Sequence, residues 1–140
     1  MFVLDTNVLS VVMGREPVPE VAAWLGRQKD AVLFTTAISQ AEILSGLAMM
    51  PSGRRRRDLE GVARGMFVED FAGRILPFDS DAAAEYAELV AARRHAGRGA
   101  APLDLMIAAI ARAKGADVVT RDIGGFEGCG VTLVDPWTAG

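Results

Sequence analysis

Cysteine, histidine and lysine are almost absent from this chain: Cys129, His95, and Lys29 with Lys114 are all it has among 140 residues. A lone cysteine excludes an intrachain disulfide and suits a reducing compartment. Cys129 lies between Gly128 and Gly130 with no second histidine to activate it, which argues against a thiol nucleophile. His95 stands beside Arg93, Arg94 and Gly97 and reads as a solvated surface residue, so there is no histidine pair for acid–base cleavage. The longest uninterrupted apolar run, 105–111, is far short of the roughly 18 residues that would span a bilayer. The opening Met1-Phe2-Val3-Leu4-Asp5 has no basic leader and reaches an acid early, so a soluble cytoplasmic protein without a membrane partner is expected. Neither a P-loop nor a GxGxxG stretch occurs. A net charge of −3 and a pI near 5.1 argue against holding nucleic acid by a general positive field. They leave open an acidic site that meets phosphate through cations.

What the chain does have is enough apolar surface for a core, 51% of its residues, at a length that fits one domain, 1–140. Short apolar runs at 2–4, 32–35, 74–77, 117–120 and 131–134 read as buried strands. Between them, spans 6–13, 18–28, 37–50, 54–71, 81–95 and 102–114 read as helices. Thr36 and Ser80 serve as caps, Pro102 sits in a first turn, and Gly115 is a stop. Gly124-Gly125 reads as loop. Strands alternating with helices predict an α/β domain with a mainly parallel, about five-stranded sheet.

Four acids stand out by position. Asp5 follows the first strand and Asp122 the fourth, where open α/β sheets bind their ligands. Glu42 and Asp104 fall in the first turns of helices, which begin on that same side. Glu42 has Ile38, Ala41, Ser45 and Gly46 as helical neighbours, and Asp104 has Ile107, Ala108 and Ala111. Acids in such surroundings need a partner. With few basic residues on either helical face, a divalent cation such as magnesium or manganese suits these hard oxygen donors. Each acid also has a plain structural reading. Asp5 could be a helix cap, Asp104 a first-turn aspartate favoured by the helix dipole, and Asp122 a turn residue.

Carboxylates that hold metal ions are suited to phosphodiester cleavage by activated water. A small phosphatase with Asp5 as nucleophile is a weaker alternative. Asp5-Thr6-Asn7 lacks the second acid of that motif, and only two lysines exist. A further alternative is a non-catalytic module whose acids serve structure alone.

Val3-Leu4-Asp5-Thr6-Asn7-Val8-Leu9-Ser10 resembles the opening of PIN-domain toxins of the VapC type, particularly the FitB-like branch. Ala41-Glu42-Ile43-Leu44-Ser45-Gly46 resembles their second motif, and Asp104 with Ile107-Ala108-Ala109 the third. Thr120-Arg121-Asp122 with Phe126, then Val134-Asp135-Pro136-Trp137, resembles the close. The resemblance is in order and runs nearly the whole length. It implies a three-layer α/β/α sandwich and a magnesium- or manganese-dependent endoribonuclease. Asp5, Glu42, Asp104 and the more variable Asp122 would bind metal, and Thr6, Asn7 and Thr120 would orient them. It also implies a homodimeric toxin paired with a small antitoxin, touching DNA only through that antitoxin. In the non-catalytic alternative the chain is mainly the antitoxin's partner in a DNA-binding repressor complex. Many relatives have serine where this chain has Ala101, so a helix cap is missing but no ligand.

Two arginine runs remain. Residues 54–57 could grip RNA phosphates, but the favoured reading is a solvated helix face balanced by Asp58 and Glu60, or an antitoxin contact. Arg93, Arg94 and Arg98, just ahead of the Asp104 helix, are candidates for gripping RNA phosphates.

Overall fold

The computed structural model describes residues 1–99 and 101–139. Five short strands form one sheet: β1 (Phe2–Leu4), β2 (Leu33–Thr36), β3 (Ile75–Leu76), β4 (Asp117–Val119) and β5 (Leu133–Val134). All are parallel, in the order β3-β2-β1-β4-β5. Parallel strands are covered on both faces, which is why their sequences are apolar without alternation.

The helices are α1 (Thr6–Val12), α2 (Pro19–Gly26), α3 (Ala37–Ala48), α4 (Arg54–Gly65), α5 (Ser80–His95), α6 (Pro102–Lys114) and α7 (Ile123–Phe126). Side chains of a strand point alternately to its two faces. Val3 and Val118 join a core with Leu89 of α5 and Leu105, Ile107 and Ile110 of α6. Leu4 and Val119 join a second core with Leu9, Trp24, Ile43 and Phe67. Helices α5 and α6 therefore cover one face and α1 to α4 the other, giving the α/β/α sandwich.

Most helix boundaries follow local chemistry. Asp5 caps α1 by accepting from Thr6 N at 2.8 Å, and Thr36 caps α3 by accepting from Ser39 N at 3.1 Å. Helix α6 has Pro102 in its first turn, no side-chain cap at Ala101, and a left-handed stop at Gly115 (φ 64°). Thr36→Ala is expected to destabilise the protein by about 1 kcal/mol through the lost cap, read as a lower midpoint in urea at unchanged slope.

Three expectations need correction. The cap of α5 is Asp79 and not Ser80: the Asp79 carboxylate accepts from Ala82 N at 3.0 Å, and a carboxylate is the stronger acceptor at a helix start. The fourth helix does not run on to 71. It widens after Gly65 into a π turn over Met66–Asp70, closed by Phe71 N donating to Met66 O at 2.9 Å, with Met66, Phe67 and Phe71 all buried. Gly124 and Gly125 are not loop but lie in α7, because Asp122 caps it by accepting from Gly125 N at 3.1 Å and Phe126 anchors it in the core.

The chain leaves β1 toward β2 on one side and β4 toward β5 on the other. The crevice where such an order reverses is the ligand position of open α/β sheets. Among the described residues no helix is long and apolar enough to cross a membrane.

Candidate active site

Asp5 and Thr120 terminate the two neighbouring strands at that crevice. Register pairs Leu4 with Val119, and Asp5 N donates to Val119 O at 2.9 Å. Asp5 is buried, 5% exposed, and both its oxygens are engaged. Oδ1 accepts from Thr6 N at 2.8 Å and Oδ2 from the Thr120 hydroxyl at 2.8 Å. That hydroxyl in turn accepts from Asp122 N at 2.9 Å and from the Asn7 amide at 3.3 Å. The Asn7 carbonyl accepts from Arg121 N at 3.3 Å. Thr6 Oγ1 donates to Glu42 Oε1 at 2.9 Å, tying α1 to α3. The polar residues expected to orient the acids thus touch them or the backbone beside them.

Asp104 and Asp122 meet at Gly125. A Cβ there would lie 2.6 Å from Asp122 Oδ2 and 3.1 Å from Asp104 Oδ2. Only glycine leaves both carboxylates room, a demand that sequence reasoning missed. The signal was present in Gly125 falling three residues after Asp122, the spacing of a capped turn. Gly125→Ala is expected to keep the fold but weaken manganese binding about 10- to 100-fold, the range for disturbed ligand positioning. Calorimetric titration of the variant against the parent checks it.

Asp5 and Asp104 feel their burial and the neighbouring acids. Burial pushes the Asp5 carboxyl above its ordinary range, its hydrogen bonds from Thr120 and Thr6 pull it back, and the charges of Glu42 and Asp122 push it further up. Asp104 is pushed up to about 6, first by burial and then by the charges of Asp5, Asp122 and Glu42, with Arg93 opposing. Among the described residues no three acidic, histidine or cysteine side chains already close on one point as a metal cage. Instead, Glu42 rests on Thr6, Asp122 on Gly125 N, and Asp5 on Thr6 and Thr120. The donor set is nevertheless all oxygen, anionic and mutually repelling, which fits a hard divalent cation.

The three candidate RNA-gripping arginines have different surroundings. Arg93 donates to the carbonyls of Gly99, Gly125 and Glu127 and to Cys129 Sγ, at 3.0 to 3.3 Å. It fastens the α7 segment beneath Asp104. Arg98 donates to Glu127 O at 3.2 Å, while Arg94 is exposed. Two of the three are therefore partly engaged by the chain itself, with Arg93 Nε left buried and unpartnered.

A PIN-domain model matches residues 2–127, a span that includes all four acids. The chain belongs to the PIN-domain family. Among PIN-domain relatives, the VapC ribonuclease Y4jK of Sinorhizobium fredii is 42% identical over 137 residues, covering 98% of each chain. Toxin FitB of Neisseria gonorrhoeae is 36% identical over 98% of this chain and 99% of its own. A solved FitAB structure bound to an IR36 DNA fragment superposes with a TM-score of 0.90 at 36% identity, covering 98% of this chain and 96% of that one. This PIN domain thus shares both the fold and the length of those relatives.

Proposed function

We propose that this PIN domain is a magnesium- or manganese-dependent endoribonuclease, the toxin of a toxin–antitoxin pair. The observation that carries the reading is the gathering of Asp5, Glu42, Asp104 and Asp122 at the β1/β4 crevice, where burial first and the neighbouring acids second raise Asp5 and Asp104. These four would hold the cation. When bound, it supplies neutralisation of charge on the phosphate and activation of water. Thr120 and Thr6 N hold Asp5 in one rotamer, Thr6 holds Glu42, and α7 holds Asp122 against Gly125. RNA is the favoured polymer because Y4jK, similar over 98% of this chain, is named a ribonuclease.

A small antitoxin and a second copy of this chain are the proposed protein partners. The DNA-bound FitAB structure supports DNA as an indirect contact, made through the antitoxin. That structure also favours a second role within a DNA-binding complex, compatible with catalysis by the free toxin.

The test is incubation of the purified protein with structured RNA and manganese, with mass analysis of the cut ends. Cleavage is expected to stop in excess EDTA, resume on adding manganese, and leave linear phosphate ends. A 2′,3′-cyclic phosphate would mean attack by the ribose hydroxyl, and persistence in EDTA would mean metal-free chemistry. Either result sinks the reading.

A further inference from the structure

A groove of about 360 Å³ is lined by Asn7, Ser10, Arg15, Arg55, Arg121 and Trp137, with Glu16 as its only acid among the described residues. Asn7 joins it to the site, since its amide donates to the Thr120 hydroxyl that holds Asp5, and its carbonyl accepts from Arg121 N. The groove shares Arg15 and Arg55 with a second hollow that adds Arg54 and Asp58. Arg56 pairs with Glu60, Arg112 with Glu85 and Glu88, and Arg74, Arg93 and Arg98 donate to carbonyls, while Arg27, Arg54, Arg57, Arg64 and Arg94 line no part of this groove. Among the described residues, Arg15, Arg55 and Arg121 make no ion pair and no side-chain hydrogen bond.

Three like charges gathered on one groove repel one another unless an anion enters. One of them is preorganised. The Arg121 guanidinium lies 5.3 Å from the Trp137 ring centroid, and the Trp137 backbone N–H donates to Asp135 Oδ1 at 2.9 Å. Stacking fixes the guanidinium plane and leaves its edge donors free, which suits bidentate phosphate binding. A ligand that reaches both an acidic cation site and a triple-arginine groove must be a polyanion with one reacting phosphate and others flanking it. An acidic peptide could lay carboxylates on both, but it carries no phosphodiester for the cation site to act on.

We propose that Arg15, Arg55 and Arg121 bind backbone phosphates of the RNA strand on one side of the cleaved bond. The assignment of the strand as RNA rests on the ribonuclease reading. The groove itself rests on the geometry.

The experiment measures anisotropy of a short fluorescein-labelled single-stranded RNA on the Asp5→Asn protein across a salt series, with steady-state cleavage kinetics on the Asp5 protein alongside. Arg15→Ala, Arg55→Ala and Arg121→Ala are each expected to weaken binding about 3- to 10-fold, the size of one charge-assisted contact at a wet surface. Each should also flatten the log–log salt slope by about 0.7 and raise KM at unchanged kcat. Arg121→Lys should restore the slope but not the full affinity. Lys114→Ala, at the far end of α6 from Asp104, should change nothing. Should an arginine variant fail to fold, Glu16→Gln decides, because removing the groove's acid must tighten RNA binding. Unchanged affinity and slope in the alanine variants, no tightening in Glu16→Gln, or a loss confined to antitoxin binding would each overturn the proposal. If no RNA is cleaved yet the variants still weaken binding, the ribonuclease reading fails and the groove stands.

Discussion

Replacing Asp5 by Asn is expected to lower RNA cleavage by about 10³-fold or more while the protein stays folded, since even one preorganised electrostatic group is worth about 10²- to 10³-fold. Asp5 is the buried acid of the site, and both of its oxygens are aimed by donors from α1 and from the end of β4. An asparagine has the same shape. Its carbonyl can still accept from Thr6 N, but the Thr120 hydroxyl already accepts from Asp122 N and the Asn7 amide, so the shape survives with the charge removed and one hydrogen bond lost. Loss of activity with a melting temperature no lower than the parent's would therefore report chemistry and not unfolding. Thr120→Val provides the graded companion. It leaves the carboxylate in place but removes the hydroxyl that orients it, with an expected loss of about 10- to 100-fold. Near-parental cleavage by Asp5→Asn would remove that carboxylate from the mechanism.

The second large effect concerns stability of the cation-free protein. Asp104 is pushed from 3.8 up to about 6, and Asp5 is raised as well. The folded chain therefore binds these protons more tightly than the unfolded chain does. That contribution is fully present below the unfolded value of 3.8 and is lost as pH rises through about 6. The full shift would be worth about 3 kcal/mol, and because Asp104 is partly exposed about 1 kcal/mol is expected to survive solvent screening. Asp104→Asn should thus melt about 3–5 °C above the parent at neutral pH and level with it at about pH 4. A divalent cation should act in the same direction on the parent. At about 100 times its dissociation constant, manganese contributes about 2.7 kcal/mol, which raises the melting temperature by about 8–10 °C. The increment should shrink in Asp104→Asn. Scanning fluorimetry at fixed protein concentration reads all of this. Parallel pH profiles for parent and variant, with no response to manganese, would show that the acids neither repel one another nor hold a cation.

Much of this site was visible along the chain. Asp5 and Asp122 were placed by the ends of apolar runs, and Glu42 and Asp104 by helix starts, because these signals are local and periodic. The parallel sheet was legible for the same reason, since strands buried on both faces are apolar throughout. The arginines were not. Arg93 and Arg98 look like exposed cations in a basic run, yet the chain folds back from Gly125 to Glu127 and takes up their donors. Arg55 looks like one residue of a balanced helix face, yet it shares a groove with Arg15 and Arg121, which lie far from it in sequence. Gly125 looks like loop punctuation, but its lack of a side chain matters because Asp104 arrives from another helix.

The sequence by itself determined the five strands, the helices α1 to α6, their alternation and the four acids at their edges, because hydrophobic period, caps and stops act within a few residues. Only the tertiary structure decided which basic side chains remain without partners and which glycine makes room. Those depend on which distant segments of chain come to lie against them, and nothing within a few residues encodes that.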